Sequence, residues 1–139
     1  MVRRIADVVR HHGVHRLPPT ASVFEAACLM KAKACGAVVV TSRGRLEGIF
    51  TERDLVNRVV ASGLDPARTK LAKVMTHHPD SVGPDTYVAE ALRMMEDGHY
   101  RHLPVTSSGR VVGLVSRRDF LGEEKAQLEH ERTLWEHVG

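Results

Sequence analysis

The run Gly48-Ile49-Phe50-Thr51-Glu52-Arg53-Asp54 returns as Gly113-Leu114-Val115-Ser116-Arg117-Arg118-Asp119, a glycine, two apolar residues, a hydroxyl and an Arg-Asp ending, 65 residues further on. A chain of 139 residues built from two copies of one unit can fold in few ways. Laying residues 19–55 over 84–120 without a gap matches 13 of 37 positions, where average residue usage gives roughly two by chance. Neither half is large enough to bury a comfortable core alone, so the two are expected to share burial in one compact body.

Within the first half, Val23, Ala26, Ala27, Met30 and Ala34 recur at helical spacing after the polar start Thr20-Ala21-Ser22, with Gly36 just beyond. Ala37-Val38-Val39-Val40, a turn at Thr41-Ser42-Arg43-Gly44-Arg45 and Leu46-Glu47-Gly48-Ile49-Phe50 then predict a β-hairpin. Thr51 opens a second helix through Leu55, Val56, Val59 and Val60, ended by Gly63 with Pro66 beyond. The second half repeats the order, with Val88, Ala91, Leu92 and Met95 on a helix and a hairpin turning at Thr106-Ser107-Ser108-Gly109-Arg110. Short strands are expected at 14–17 and 80–82, before the Pro-containing turns at Pro18-Pro19 and Pro84. The fold class is therefore α+β, two β-α-β-β-α units related by a pseudo-two-fold, with either the sheets or the helices meeting between them. Ile5-Ala6-Asp7-Val8 resembles Leu71-Ala72-Lys73-Val74 at an offset of 66, which marks two lead-in helices. The expected boundaries are 1–66 and 67–122 for the repeats and 123–139 for a charged C-terminal helix. Leu121, Leu128 and Trp135 form a narrow stripe on that helix, suited to cover either this core or another subunit.

Charge and composition narrow the function classes. Twenty basic residues against 17 acidic give +3 with nine histidines neutral. Aromatics are 4% and the charges alternate, unlike the basic stripe with stacking aromatics of a nucleic-acid binder. No apolar run approaches a membrane span, and the N-terminus lacks a signal core, so a cytoplasmic protein with no membrane partner is expected. Cys28 and Cys35, seven apart on one predicted helix face, suit neither a disulfide nor a zinc site. His11, His12, His15, His77 and His78 have imidazoles at short spacing, but no acid or cysteine completes a recognised ligand set, and no metal is expected.

The duplicated heptapeptide carries the chemistry. Gly48 and Gly113 stand where a side chain would block close approach of a ligand to the backbone. Thr51 and Ser116 occupy helix-cap positions, and Asp54 and Asp119 fall one turn later with two acceptor oxygens each, matching the two hydroxyl donors of a ribose. Arg53 and Arg118 are placed to meet phosphates or to face solvent. The alternative is a capping box, Thr51-x-x-Asp54 and Ser116-x-x-Asp119, and the two roles are compatible.

The tandem unit, the two heptapeptides and Arg101-His102-Leu103-Pro104-Val105 before the second hairpin resemble a pair of CBS domains, the cystathionine β-synthase type repeat, over about residues 3 to 121. The resemblance implies a Bateman module of the stand-alone prokaryotic kind. Such a module is a non-catalytic regulatory sensor that binds adenosine nucleotides between its repeats and pairs into a disc-like homodimer. Carried over by position, it implies one pocket at Thr51, Arg53 and Asp54 and another at Arg101, His102, Ser116, Arg118 and Asp119, lined further by segments near His12–His15 and His77–Pro79. The ligand implied is AMP, ADP or ATP, with NAD or S-adenosylmethionine as alternatives, and no cofactor. Subtracting 65 from Arg101 and His102 gives Gly36 and Ala37, so the pocket of Asp119 is expected to take the more highly charged nucleotide.

Two rival functions stand beside this one. An enzyme would need a nucleophile with its base, a Walker-type phosphate loop or a distinct catalytic carboxylate pair, none of which the sequence presents. A structural oligomerisation module would use the duplicated motif only to cap helices, and a metal-binding or S-adenosylmethionine-binding sensor is the remaining alternative. A regulated protein, on the sensor reading, is bound in trans.

Overall fold

The computed structural model describes residues 2–9, 13–120, 130, 133 and 134. Its elements run α1 (Ile5–Val9), β1 (Arg16–Leu17), α2 (Val23–Lys33), β2 (Ala37–Ser42), β3 (Arg45–Thr51), α3 (Glu52–Asp54), α4 (Leu71–Val74), β4 (Thr76–His77), α5 (Val88–Gly98), β5 (His102–Ser107) and β6 (Arg110–Ser116). A π-wound turn, Leu55–Val60, continues α3, and a 3-10 turn, Arg117–Asp119, comes after β6. The expected C-terminal helix at 123–139, with Leu128 and Trp135, lies outside the described residues except at His130, Thr133 and Leu134.

Local chemistry sets the ends of these elements. Ser22 caps α2, its hydroxyl oxygen accepting the Glu25 N–H at 3.1 Å. Ala34 closes the helix in the left-handed region, φ 51°, and its counterpart His99 closes α5 at φ 57°. Cys35 thus lies past the helix that carries Cys28, so the two do not share a helix face. Arg43-Gly44 and Ser108-Gly109 all have positive φ, the requirement of a two-residue hairpin turn whose twist matches the strands.

The pseudo-two-fold is visible pair by pair. The strands join in the order β1-β2-β3-β6-β5, with β4 added on β3. The hairpins meet where Arg45 pairs with Arg110, two residues 65 apart. The Arg110 guanidinium covers Gly44, and that of Arg45 covers Gly109, so each hairpin tip is clasped by the equivalent arginine of the other. The parallel pairing of Leu17 with Val40 recurs as Val82 with Val105.

Each lead-in segment packs in the other half. Ile5 and Val8 of α1 join Val82, Val88, Leu92, Met95, Leu103 and Val115 in one core, while Leu71, Val74 and Met75 join Val23, Ala26, Met30, Val38, Phe50 and Val59 in the other. This exchange is how two units too small to stand alone share burial.

The exchange also explains the duplicated glycine differently from the expectation that a ligand approaches there. A Cβ on Gly48 would lie 2.6 Å from Met75 Sδ and 2.8 Å from the Thr76 carbonyl oxygen, and one on Gly113 would meet Val9. The place that glycine keeps open is filled by the crossing lead-in segment. In the first half this segment forms β4, with His77 paired to Gly48 and Thr76 to Ile49. A two-residue strand of this kind has no periodicity of its own to announce it.

Candidate functional site

The two hairpins end at the same open cleft, about 1540 Å³, walled by both repeats. Thr51, Arg53, Asp54, Arg101, His102, Ser116 and Arg118 all line it. Asp119 is not on the wall but is hydrogen-bonded to Ser116, which is. The two pockets read from sequence are thus regions of one cavity. Of the flanking histidine segments, His78 and Pro79 contribute to the wall. His15 and His77 do not, and His11 and His12 lie outside the described residues. Among the described residues, no cluster of His, Cys, Asp or Glu has the arrangement of a metal site.

Both hydroxyl-x-x-Asp motifs are capping boxes, and the resulting geometry orients the carboxylates. Asp54 Oδ2 accepts the Thr51 N–H at 3.0 Å, and Thr51 Oγ1 accepts the Asp54 N–H at 3.2 Å. In the second repeat Asp119 Oδ2 accepts the Ser116 N–H at 2.7 Å and the Ser116 hydroxyl at 3.3 Å. In each case one carboxylate oxygen is spent on the cap. The second oxygen of Asp54 lies 3.6 Å from Arg58 Nε, a partner one helical turn on that the motif alone did not single out. The Arg58 side chain is half exposed and the separation is long for an ion pair, so its direct contribution to stability is small.

Five arginines, Arg53, Arg58, Arg101, Arg117 and Arg118, face the cleft against Glu52, Asp54, Asp80 and Glu96. Arg117 is held by Glu96, Nη2 to Oε1 at 2.7 Å. His102 opens β5, and its imidazole lies across from Gly36 of the first repeat: a Cβ there would be 3.5 Å from its ring. Burial holds its pKa below the ordinary value near 6.5; Arg118 and Arg101 lower it further, while Glu52 and Asp119 act the other way. Negative charge placed beside Arg101 and Arg118 would offset that repulsion.

Tyr100 is a lining residue that sequence pattern did not mark. Its ring covers Gly98, where a Cβ would clash with it, and its hydroxyl donates to Asp80 Oδ2 at 2.9 Å. Burial first, then the Asp80 hydrogen bond and charge, push the phenol up to about 12. Met95 and Ile49 supply apolar wall beside these polar groups, the mixture that suits a flat heteroaromatic ligand carrying a charged tail. Glu96 with Arg117 and Tyr100 with Asp80 are pairs 21 and 20 residues apart. Neither spacing is a local motif, which is why only the fold reveals them.

Known proteins share this architecture. The CBS domain model matches residues 2–61 and 71–125. The CBS domain-containing protein CBSCBSPB2 of Arabidopsis thaliana is 39% identical over 109 residues, 78% of this chain and 20% of its own length. The chain therefore spans about a fifth of that plant relative. The CBS domain-containing protein YhcV of Bacillus subtilis is 33% identical over 106 residues, 76% of this chain and 75% of its own. A solved CBS domain protein from Pyrobaculum aerophilum, complexed with AMP, superposes with a TM-score of 0.82 at 27% identity, covering 92% of this chain and 99% of that one. Among the described residues no helix is long and apolar enough to cross a membrane. With both repeats matched and the same pair architecture in solved relatives, the chain belongs to the CBS domain family, as a tandem CBS pair of the regulatory-module type.

Proposed function

We propose that the chain is a non-catalytic sensor that binds an adenosine nucleotide in the cleft between its repeats. The observation that carries this reading is the convergence of two oriented Asp boxes and five arginines on one cavity. The similar protein from Pyrobaculum aerophilum complexed with AMP supports the same ligand class. In this reading Asp54 accepts from ribose hydroxyls at the wall, Asp119 holds the cleft-lining Ser116 in place at the other end, the Thr51 and Ser116 hydroxyls and Arg53, Arg101, His102 and Arg118 meet phosphate, and the apolar wall at Met95 and Ile49 takes the base. Because the cleft walls come from both repeats, a ligand that touches both binds one relative arrangement better than another, which is the requirement for a regulatory shift read by a partner in trans. Self-association fits the same picture: Phe24, Val56 and Val60 are exposed on helical segments that flank the first core.

Thermal unfolding with AMP, ATP, NAD and S-adenosylmethionine tests the reading. A phosphorylated adenosine ligand at a hundred times its Kd adds about 2.7 kcal/mol, a rise of roughly 8 °C for a domain of this size. S-adenosylmethionine, a cation without phosphate, should do less in an arginine-lined cleft. No shift with any of the four would favour a purely structural module, and hydrolysis of ATP during incubation would favour an enzyme.

A further inference from the structure

Glu52 and Arg117 stand at equivalent places, 65 residues apart, and hold equivalent backbone bonds: the Glu52 N–H donates to the Gly36 carbonyl at 3.0 Å, the Arg117 N–H to that of Arg101 at 2.9 Å. Their side chains both line the cleft, with opposite charge. The reversal extends one shell outward. Glu96, which holds Arg117 at 2.7 Å, corresponds by the same offset to Lys31, yet among the described residues no ion pair joins Lys31 to Glu52. The Glu52 carboxylate instead reaches the His102 side of the cavity: a Cβ at Gly36 would lie 3.3 Å from its Oε1 and 3.5 Å from the His102 ring. The first-repeat end of the cleft thus carries an acid without an ion-pair partner among the described residues. The second-repeat end, in the equivalent position, carries a cation beside Arg101 and Arg118.

We propose that Glu52 is a specificity-determining residue that sets the ligand charge accepted at the first-repeat end, admitting a nucleoside or nucleoside monophosphate and opposing a triphosphate. The second-repeat end, with Arg117 in the equivalent place, accepts the triphosphate. This inference rests on the nucleotide reading above and adds to it a ligand class for each end. The basis is direct repulsion: a carboxylate within a few ångströms of a polyphosphate opposes it in proportion to the phosphate charge, while a monophosphate with fewer charges feels less. The open cleft screens the effect without abolishing it.

Calorimetric titration of AMP and of magnesium-free ATP into the wild type, Glu52→Gln and Glu52→Arg tests the inference. Work at about pH 8 keeps His102 neutral throughout, so loss of the Glu52 charge does not act through the imidazole. Both variants retain the Thr51 and Asp54 backbone bonds of the capping box, so folding should survive, and thermal unfolding without ligand checks it. The expected result is a rise in ATP affinity at the weaker site of about threefold for Glu52→Gln and about tenfold for Glu52→Arg, with AMP affinity changed less than about twofold. An unchanged ratio of ATP to AMP affinity, in proteins that bind AMP, overturns the role of Glu52 and leaves the nucleotide reading standing. Failure of the wild type to bind either nucleotide overturns both.

Discussion

Gly48→Val is expected to destabilise the protein by about 3 kcal/mol, at the upper end of overpacking costs. The reason lies in the crossing lead-in segment. The first added carbon would stand 2.6 Å from Met75 Sδ and 2.8 Å from the Thr76 carbonyl oxygen. Met75 is buried and able to turn aside only into a filled core, and the Thr76 carbonyl belongs to a strand fixed by its pairing with Ile49. The two further methyls of valine deepen the conflict. Gly113→Val meets the Val9 side chain rather than backbone, so the same substitution there should cost less, about half as much. Urea unfolding of the two variants measures the difference. Had Gly48 been reserved for a ligand, its variant would keep full stability and lose only binding; that result would contradict the packing role.

Asp119→Asn should lower ATP affinity by about thirtyfold, and Asp54→Asn by about threefold, when each is titrated calorimetrically. Asparagine retains an oxygen for the cap, so the boxes at Ser116 and Thr51 keep their backbone bonds and the readout is ligand rather than folding. Loss of the carboxylate charge, which at Asp54 faces the cleft and at Asp119 lies behind the bonds that hold the cleft-lining Ser116, accounts for a common part of the effect. The larger share at Asp119 comes from the neighbourhood: the second repeat brings Arg101, Arg117 and Arg118 to the cleft, with His102 reaching across to Gly36, whereas the first repeat brings Arg53 and Arg58 together with the acid Glu52. Equal losses would remove the inequality between the ends, and a larger loss at Asp54 would reverse it.

The repeat, both hairpins, the first helix of each half and the lead-in helices were legible from spacing alone, because each is a local pattern: alternation, a 3.6 period, or a glycine turn. The capping boxes were legible for the same reason. What spacing concealed are the consequences of tertiary crossing. Gly48 and Gly113 read as openings toward a ligand because a missing side chain does not say what fills its place; Met75, Thr76 and Val9 fill it. β4 is two residues long and exists only because β3 lies beside it. Merging of the two pockets into one cleft, and the pairs Glu96 with Arg117 and Tyr100 with Asp80, depend on how the halves meet. The charge reversal between Glu52 and Arg117 was present in the aligned heptapeptides; their matching main-chain bonds to Gly36 and Arg101 show that the two places are equivalent in the fold, and the cleft lining shows that both face the cavity.

The most direct measurement is the mapping of backbone amide shifts in the isotopically labelled protein as AMP is added. Binding in the cleft predicts saturable changes at Thr51, Asp54, His102, Ser116 and Asp119, and at Gly36, whose peptide adjoins Glu52 and His102. The clasped hairpin tips at Gly44 and Gly109, which are not part of the cleft wall, should stay fixed. Shifts confined to the tips or to the exposed helical face at Phe24, Val56 and Val60, or no shift at saturating AMP, would contradict the account.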